Sequence, residues 1–233
     1  SADSMQVYKK MDIGSAKIKP EEMEGIPHHL IDVLEPDDEF HVVKFQQLAK
    51  KAMREIWERG HIPIVTGGTG FYIQALLYDI DFDENEKEDA CRKELEAYAK
   101  EHGAEALHEK LAFVDPASAE MIHPNNIKRV IRALEFYEQT GKRISEHNET
   151  QRQRESPYAF AYFVLTDDRA HLYERINRRV DQMIEEGLVN EVQALKDKGY
   201  TKQLVSMQGL GYKEILDYLD GNCTLEEAIY TIK

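Results

Sequence analysis

Apolar and polar positions in the first third of the chain follow two different patterns. Across residues 41–59 the apolar residues recur at helical spacing and predict an amphipathic helix that ends at Gly60. The predicted apolar face consists of Val43, Leu48, Ala52 and Ile56. Residues 62–65 form a short continuous apolar run, which is typical of a buried parallel strand, and residues 71–77 predict a further helix.

A glycine-rich turn separates this strand from the helix after it. Its residues are Gly67, Gly68, Thr69 and Gly70. In open α/β sheets, ligands bind beyond the carboxyl ends of the strands, where glycines let backbone N–H groups approach an anion at a helix N-terminus. We therefore expect Gly67, Gly68 and Thr69 to bind phosphate, with the Thr69 hydroxyl holding a phosphate oxygen. A tight connection without a ligand, in which Thr69 only caps its helix, is the open alternative.

The remaining pattern divides the chain into a core and an insertion. Residues 29–34 and 159–165 predict further strands, whereas residues 90–137 have helical spacing throughout. The simplest fold class is α/β, with a parallel-sheet core that a helical insertion domain interrupts. We expect residues 1–82 and 155–233 to form the core and residues 83–154 to form the insertion.

Composition narrows the class of protein. The net charge of −14 argues by itself against a nucleic-acid partner, because phosphate backbones are bound by clustered Lys and Arg. No apolar run approaches the roughly 18 residues of a membrane span, and no secretory signal is visible. Cys91 and Cys223 lie far apart and fit free thiols in a reducing cytoplasm better than a disulfide. We therefore expect a cytoplasmic protein without a membrane partner.

Asp3 and Ser4 follow a predicted strand end at the N-terminal side of the sequence. A carboxylate at that edge of a sheet can act as a general base, and an Asx turn or helix cap is the alternative. His28 and His29 invite a metal interpretation, but adjacent residues of a strand point to different sides and cannot easily chelate one ion. No other metal-ligand spacing supports them, so we expect no metal-ligating residues.

A basic stretch stands out in this acidic chain. Lys128 and Arg132 fall four positions apart and share a helix face, and Arg129 lies beside them. A solvated helix is the ordinary explanation. The concentration of Lys and Arg in a chain that is poor in both favours contact with a phosphate backbone.

Several segments together resemble the tRNA dimethylallyltransferases, the isopentenyltransferases of bacterial type. The segment Ser-Ala-Asp-Ser-Met-Gln-Val-Tyr opens the chain, and Val-Thr-Gly-Gly-Thr-Gly-Phe-Tyr contains the glycine-rich turn. In family order, the matching segments are residues 1–8, 11–17, 26–33, 65–72, 123–126, 129–135, 175–181 and 211–214. The ordered set covers nearly the whole chain, which makes the resemblance specific.

This resemblance implies a P-loop-type parallel-sheet core and a prenyl transfer reaction. A dimethylallyl group would move from dimethylallyl diphosphate to N6 of the adenine on the 3′ side of the anticodon, with Mg²⁺ assisting. The implied partners are dimethylallyl diphosphate and the anticodon stem-loop of tRNA, and we expect a monomer.

The resemblance also assigns roles to individual residues. Asp3 matches the general base of the family, and Thr69 matches a residue that contacts the reacting site and tRNA. The segment around the target base corresponds to Asp3, Ser4, Met5 and Gln6. The positions that contact tRNA in the insertion correspond to Arg92, Lys128, Arg129 and Arg132.

The chain also departs from the family pattern. The phosphate-binding motif GxxxxGK[ST] occurs nowhere in it, and the closing helix of the family would follow residue 233. We therefore expect core elements to be missing on both sides and the chain to be inactive by itself. Two alternatives stay open: a P-loop kinase or prenyltransferase that acts on free adenine nucleotides, which has little need of a basic insertion, and a helical RNA-binding module, which leaves Asp3 without a role.

Overall fold

The computed structural model of the protein describes residues 1–82 and 89–233. The described chain groups into two compact units. The discontinuous unit comprises Ser1–Leu77 and Ala159–Lys233, and the continuous unit comprises Tyr78–Tyr158. The predicted boundary at residue 83 lies outside the described residues, and the assignment of a catalytic core and a tRNA-contacting insertion stays a prediction.

Ten α-helices dominate the described residues. They are α1 (Val42–Glu58), α2 (Gly70–Leu77), α3 (Asp89–Val114), α4 (Pro116–Met121), α5 (Ile127–Thr140), α6 (Ile144–Arg152), α7 (Arg169–Glu186), α8 (Leu188–Asp197), α9 (Tyr212–Leu219) and α10 (Leu225–Ile232). Helix α3 is interrupted at Gly103, whose backbone is not helical. Short 3₁₀ turns lie at Pro20–Met23 and Ser206–Gln208. None of the helices in the described ranges is long and apolar enough to cross a membrane.

The predicted α/β fold with a P-loop-type parallel-sheet core is wrong for this structure. Within the described residues, strand pairing is limited to an isolated parallel bridge between Tyr8 and Leu34. The apolar pattern predicts buried strands at residues 62–65 and 159–165, yet apolar side chains in both are exposed, Leu165 to 96%. An apolar run forms a buried strand only where neighbouring backbones complete its hydrogen bonds and packed layers cover both faces. The exposed side chains indicate that this cover is absent within the described residues.

Helix α1 confirms the helix predicted for residues 41–59, although its buried face is rotated from the predicted one. Ala52 is buried, whereas Val43, Leu48 and Ile56 are only half-buried. The side chains that α1 buries are Phe45, Gln46, Ala49, Ala52 and Met53. The helix predicted for residues 71–77 is confirmed as α2.

An aromatic cluster fixes α2 against α1. The rings of Phe45 and Tyr72 stack with their centroids 4.7 Å apart. Phe40 meets Tyr72 edge to face at 5.7 Å and Tyr8 at 6.3 Å. Such aromatic pairs stabilise a core beyond the burial of their area. Helix α2 and the segment around Tyr8 are therefore packed onto one cluster.

The continuous unit is helical, as the spacing of residues 90–137 predicts. Its core lies mainly between α3 and α5, and the most completely buried residues there are Leu107, Leu111, Val130, Ala133 and Ile131. This core supports α5, whose first two turns carry Lys128, Arg129 and Arg132.

Asp115 joins α4 to α6 in the continuous unit. Its buried carboxylate accepts hydrogen bonds from the N–H and hydroxyl of Ser118, at 3.1 and 2.7 Å, and from those of Ser145, at 3.0 and 2.7 Å. Burial raises the pKa of the Asp115 carboxyl, but the hydrogen bonds from Ser145 and Ser118 together outweigh it, so the pKa is below its ordinary value. The charged form of Asp115 therefore stabilises this unit.

We expect Asp115→Asn to lower the free energy of unfolding by about 2–4 kcal/mol at pH 7, because an amide cannot accept all four hydrogen bonds. Since the folded-state pKa is the lower one, this stabilisation is complete above the unfolded-state pKa of about 3.9 and is lost as the pH falls through the folded-state value. Urea unfolding at pH 7 and at pH 3 measures both effects.

The control for this experiment is Glu146→Gln, because the Glu146 side chain is 66% exposed. We expect it to change the free energy of unfolding by less than about 0.5 kcal/mol at pH 7. A difference between Asp115→Asn and the unmodified chain that is the same at both pH values would contradict the role given to the charged carboxylate.

Candidate functional site

Two distant segments meet at the glycine-rich turn of the discontinuous unit. The N–H of Ala2 donates to the carbonyl of Thr66 at 2.7 Å, and the N–H of Thr69 donates to the carbonyl of Ala2 at 3.2 Å. The N–H of Ser4 donates to the hydroxyl oxygen of Thr69 at 3.1 Å. The structure therefore brings Asp3 close to Thr69, the two residues that we predict to be catalytic.

Gly67 permits this close approach. A Cβ atom at Gly67 would lie 2.4 Å from the carbonyl carbon and oxygen of Ala2 and 2.9 Å from the nitrogen of Asp3. Any larger residue would push the two backbones apart. At Gly68, in contrast, a Cβ would meet nothing within 4 Å. Gly67 is thus required for packing the chain against itself, whereas Gly68 has open space beside it.

The half-buried Asp3 carboxylate uses one oxygen to shape its own loop. Its Oδ1 accepts hydrogen bonds from the N–H of Met5 at 2.7 Å and the N–H of Gln6 at 3.2 Å. This is the Asx turn that the sequence left open as an alternative. Within the described residues no hydrogen bond reaches Oδ2. The turn therefore orients the carboxylate and leaves its second oxygen able to accept a proton.

The loop after Asp3 is held by neighbouring segments. The side-chain amide of Gln6 donates to the carbonyls of Ser15 at 3.3 Å and Ala16 at 3.4 Å. Met5 packs against Gly209, where a Cβ atom would lie 2.5 Å from the methyl carbon of Met5. Two of the four residues that we predict to lie around the target base, Met5 and Gln6, are thus engaged with the protein itself.

Lys17 is a site residue that the sequence reasoning missed. Its side chain is 4% exposed, and its ammonium group donates to the carbonyl of Tyr8 at 2.8 Å. It also pairs with the carboxylates of Asp12 at 2.5 Å and Asp32 at 2.7 Å. Lys17 therefore holds together the three parts of the chain that contain Tyr8, Asp12 and Asp32. The signal that could have revealed it is a lysine inside the family-like segment 11–17.

In the continuous unit, Arg92 is engaged by an acidic neighbour. Its guanidinium donates to both carboxylate oxygens of Glu135, at 2.9 and 2.8 Å. The Glu135 side chain is only 5% exposed, whereas that of Arg92 is 49% exposed. A bidentate pair of this kind fixes the guanidinium against α5. Contact of Arg92 with tRNA stays a prediction.

The other three basic candidates are free of such pairing. Lys128, Arg129 and Arg132 are exposed, and within the described residues their side chains take part in no hydrogen bond or ion pair. They lie in the first two turns of α5, and the N-terminal end of a helix carries positive potential. Together they form the basic face of α5.

His28 and His29 each lie beside another group of the protein. His28 Nδ1 lies 2.8 Å from the carbonyl of Ile26, and His29 Nε2 lies 3.4 Å from a guanidinium nitrogen of Arg59. Among the residues that the structure describes, no group of three or more His, Cys, Asp or Glu side chains could hold a metal ion.

Comparison with known sequences places these features in a family. The chain matches the profile of the IPP transferases (IPPT) over residues 6–233. It is 61% identical to a tRNA dimethylallyltransferase of Lachnoclostridium phytofermentans and 54% identical to one of Geobacillus thermodenitrificans, in each case over the whole of this chain. It spans 74% and 73% of the length of these relatives.

Solved structures agree with the sequence comparison. The full-length tRNA isopentenylpyrophosphate transferase of Bacillus halodurans is 49% identical and superposes with a TM-score of 0.69, covering 99% of this chain and 71% of its own. A eukaryotic dimethylallyltransferase acting on tRNA is 31% identical with a TM-score of 0.79, and the match covers 99% of this chain and 58% of that one. The chain therefore belongs to the IPP transferase family.

Proposed function

We propose that the chain transfers a dimethylallyl group from dimethylallyl diphosphate to N6 of the adenine on the 3′ side of the anticodon in tRNA. Its relatives are named for dimethylallyl transfer to tRNA, and their similarity extends over the whole chain. The observation that carries the proposal is the contact between the Asp3 loop and the Thr69 hydroxyl, beside a turn with open space at Gly68.

Asp3 is the proposed general base. An adenine amino group is a poor nucleophile because its lone pair is delocalised into the ring, and a carboxylate that accepts its proton lowers the barrier. The hydrogen bonds from Met5 and Gln6 fix Oδ1, which leaves Oδ2 to take the proton. The target adenine must leave its stack to reach such a group.

Thr69, Gly67 and Gly68 are the proposed contacts of the diphosphate leaving group. The Thr69 hydroxyl accepts a hydrogen bond from Ser4, so its own proton is available for a phosphate oxygen. The N–H groups of Gly67 and Gly68 make no hydrogen bond within the described part of the chain. Donors placed where negative charge develops stabilise the departing diphosphate.

Mg²⁺ is the proposed cofactor, since the resemblance implies it. Mg²⁺ is usually bound by one or two carboxylates together with substrate phosphates and water. Among the described residues no group of three or more His, Cys, Asp or Glu side chains could hold such an ion, so we assign no residue to it. Base action by Asp3 and hydrogen bonding by Thr69 do not depend on the ion.

The basic face of α5 is the proposed contact with the tRNA backbone. In a chain of net charge −14, three exposed cations without an acidic partner within the described residues are the feature best suited to bind phosphates. A partner that carries many phosphates gives these cations a role that a free nucleotide would not.

We expect Asp3→Asn in the full-length protein to lower kcat for transfer from labelled dimethylallyl diphosphate to tRNA by about 10²–10⁴-fold. The amide oxygen still accepts the hydrogen bonds of the turn, but an amide does not take up the adenine proton. The Kd for tRNA should be unchanged. Asp37→Asn, at an exposed carboxylate outside the predicted site residues, is the control and should keep full activity.

Unchanged turnover of Asp3→Asn would remove Asp3 as the base. The same assay with AMP in place of tRNA tests the substrate class, and no labelled AMP is expected. Labelling of AMP without labelling of tRNA would replace the proposal with an enzyme that acts on free nucleotides.

We expect Arg129→Ala combined with Arg132→Ala to weaken tRNA binding and to reduce the slope of log K against log salt by roughly 1 for each phosphate that the variant no longer neutralises. Lys51→Ala combined with Arg54→Ala removes the same charge from the exposed side of α1 and controls for net charge. Titrations between low and high salt measure both slopes. An identical slope for the two double variants would show that α5 does not read the phosphates.

A further inference from the structure

Glu191 of α8 makes an unusual set of contacts with the loop that follows the site. Its carboxylate accepts hydrogen bonds from three successive backbone N–H groups and from one phenol. The donors are Asp12 at 2.9 Å, Ile13 at 2.8 Å, Gly14 at 3.3 Å and the hydroxyl of Tyr212 at 2.7 Å. Successive N–H groups that converge on one anion form a concave anion-binding nest, and here an internal carboxylate fills it.

The loop is also fixed on its other sides. A Cβ atom at Gly14 would lie 2.4 Å from the ring of Tyr212, so the loop backbone rests directly on that ring. Arg179 donates to the carbonyl of Ile13 at 3.5 Å. Burial of Tyr212 raises the pKa of its hydroxyl, and the nearby Glu191 charge raises it further, so this group stays a donor to Glu191. The nest therefore has a single defined position.

The same loop carries the carbonyl groups that hold Gln6. Ser15 and Ala16 accept hydrogen bonds from the Gln6 side chain, and the N–H of Gln6 donates to Asp3 Oδ1. Ala16 has a left-handed backbone with φ 51°. Because this conformation is unfavourable for a residue with a Cβ atom, it persists only where surrounding contacts impose it.

We propose that Glu191 is a positioning residue for the prenyl transfer, acting through the loop of residues 12–17 on Gln6 and thereby on the Asp3 carboxylate. This inference rests on the proposed function. Glu191 touches no reacting group itself. Its carboxylate replaces the solvent that the three N–H groups would otherwise bind, and so keeps the Ser15 and Ala16 carbonyls in register with Gln6.

A double-mutant cycle in the full-length protein tests this path. The variants are Glu191→Gln, Gln6→Ala and the two combined, and the measured quantity is kcat for transfer to tRNA. We expect Glu191→Gln to lower kcat on the order of tenfold, because an amide places an NH₂ group against N–H donors. In the background of Gln6→Ala the same substitution should lower kcat by less than about threefold, since coupled residues are not additive.

A merely structural role predicts the opposite result. If Glu191 only stabilises the fold, the two substitutions act independently, and kcat of the combined variant falls by the product of the single effects. That outcome would overturn the inference. Absence of transfer by the unmodified full-length protein would instead overturn the proposed function, which separates the two failures.

Tyr212→Phe is the matched control for the nest. It removes one donor to Glu191 and leaves the three backbone hydrogen bonds in place, so kcat should stay within about threefold of the unmodified value. A loss as large as that of Glu191→Gln would assign the effect to packing between α8 and α9 and overturn the inference. If Glu191→Gln does not fold, the cycle is run with Glu191→Asp, which keeps the charge and withdraws the carboxylate from the nest, with the same expected coupling.

Discussion

The site depends on a backbone crossing at Gly67. Residues Ala2 and Asp3 lie against this glycine at a distance that no Cβ atom allows. The crossing is closed by hydrogen bonds from Ala2 to Thr66, from Thr69 to Ala2 and from Ser4 to Thr69. A carboxylate from the start of the sequence and a hydroxyl from the turn thus share one place, and neither is positioned by its own local structure alone.

The charged side chains near the crossing form hydrogen bonds within the protein. One oxygen of the Asp3 carboxylate accepts a hydrogen bond within its own turn. The buried Lys17 ammonium and the Glu191 carboxylate bind the adjoining loop. Each of these charges has hydrogen-bonding partners, which offset the loss of solvent where the group is partly or fully buried. In the continuous unit, the basic face of α5 is exposed and has no acidic partner within the described residues. An acidic protein can bind a polyanion only through such a local patch.

The sequence predicted the local parts of this arrangement and missed those that depend on distant contacts. The spacing of apolar residues and the positions of glycines predict the glycine-rich turn, α1, α2 and the helical character of the continuous unit. The predicted sheet was wrong because the apolar residues 62–65 are not covered by other parts of the described chain. An apolar run carries no information about which segments lie beside it in the fold. Glu191 gave no signal, since one glutamate on a polar helix face looks like any other. The pairing of Arg92 with Glu135 was equally hidden, as it joins α3 to α5.

Replacing Gly67 tests the backbone crossing most directly. Gly67→Ala places a Cβ within 2.4 Å of Ala2, and Gly70→Ala, at the start of α2, places one in open space. With the crossing as the basis of the site, Gly67→Ala in the full-length protein loses at least about tenfold in kcat for transfer to tRNA, whereas Gly70→Ala stays within about threefold. Full kcat and an unchanged melting temperature for Gly67→Ala would contradict the central role of the crossing.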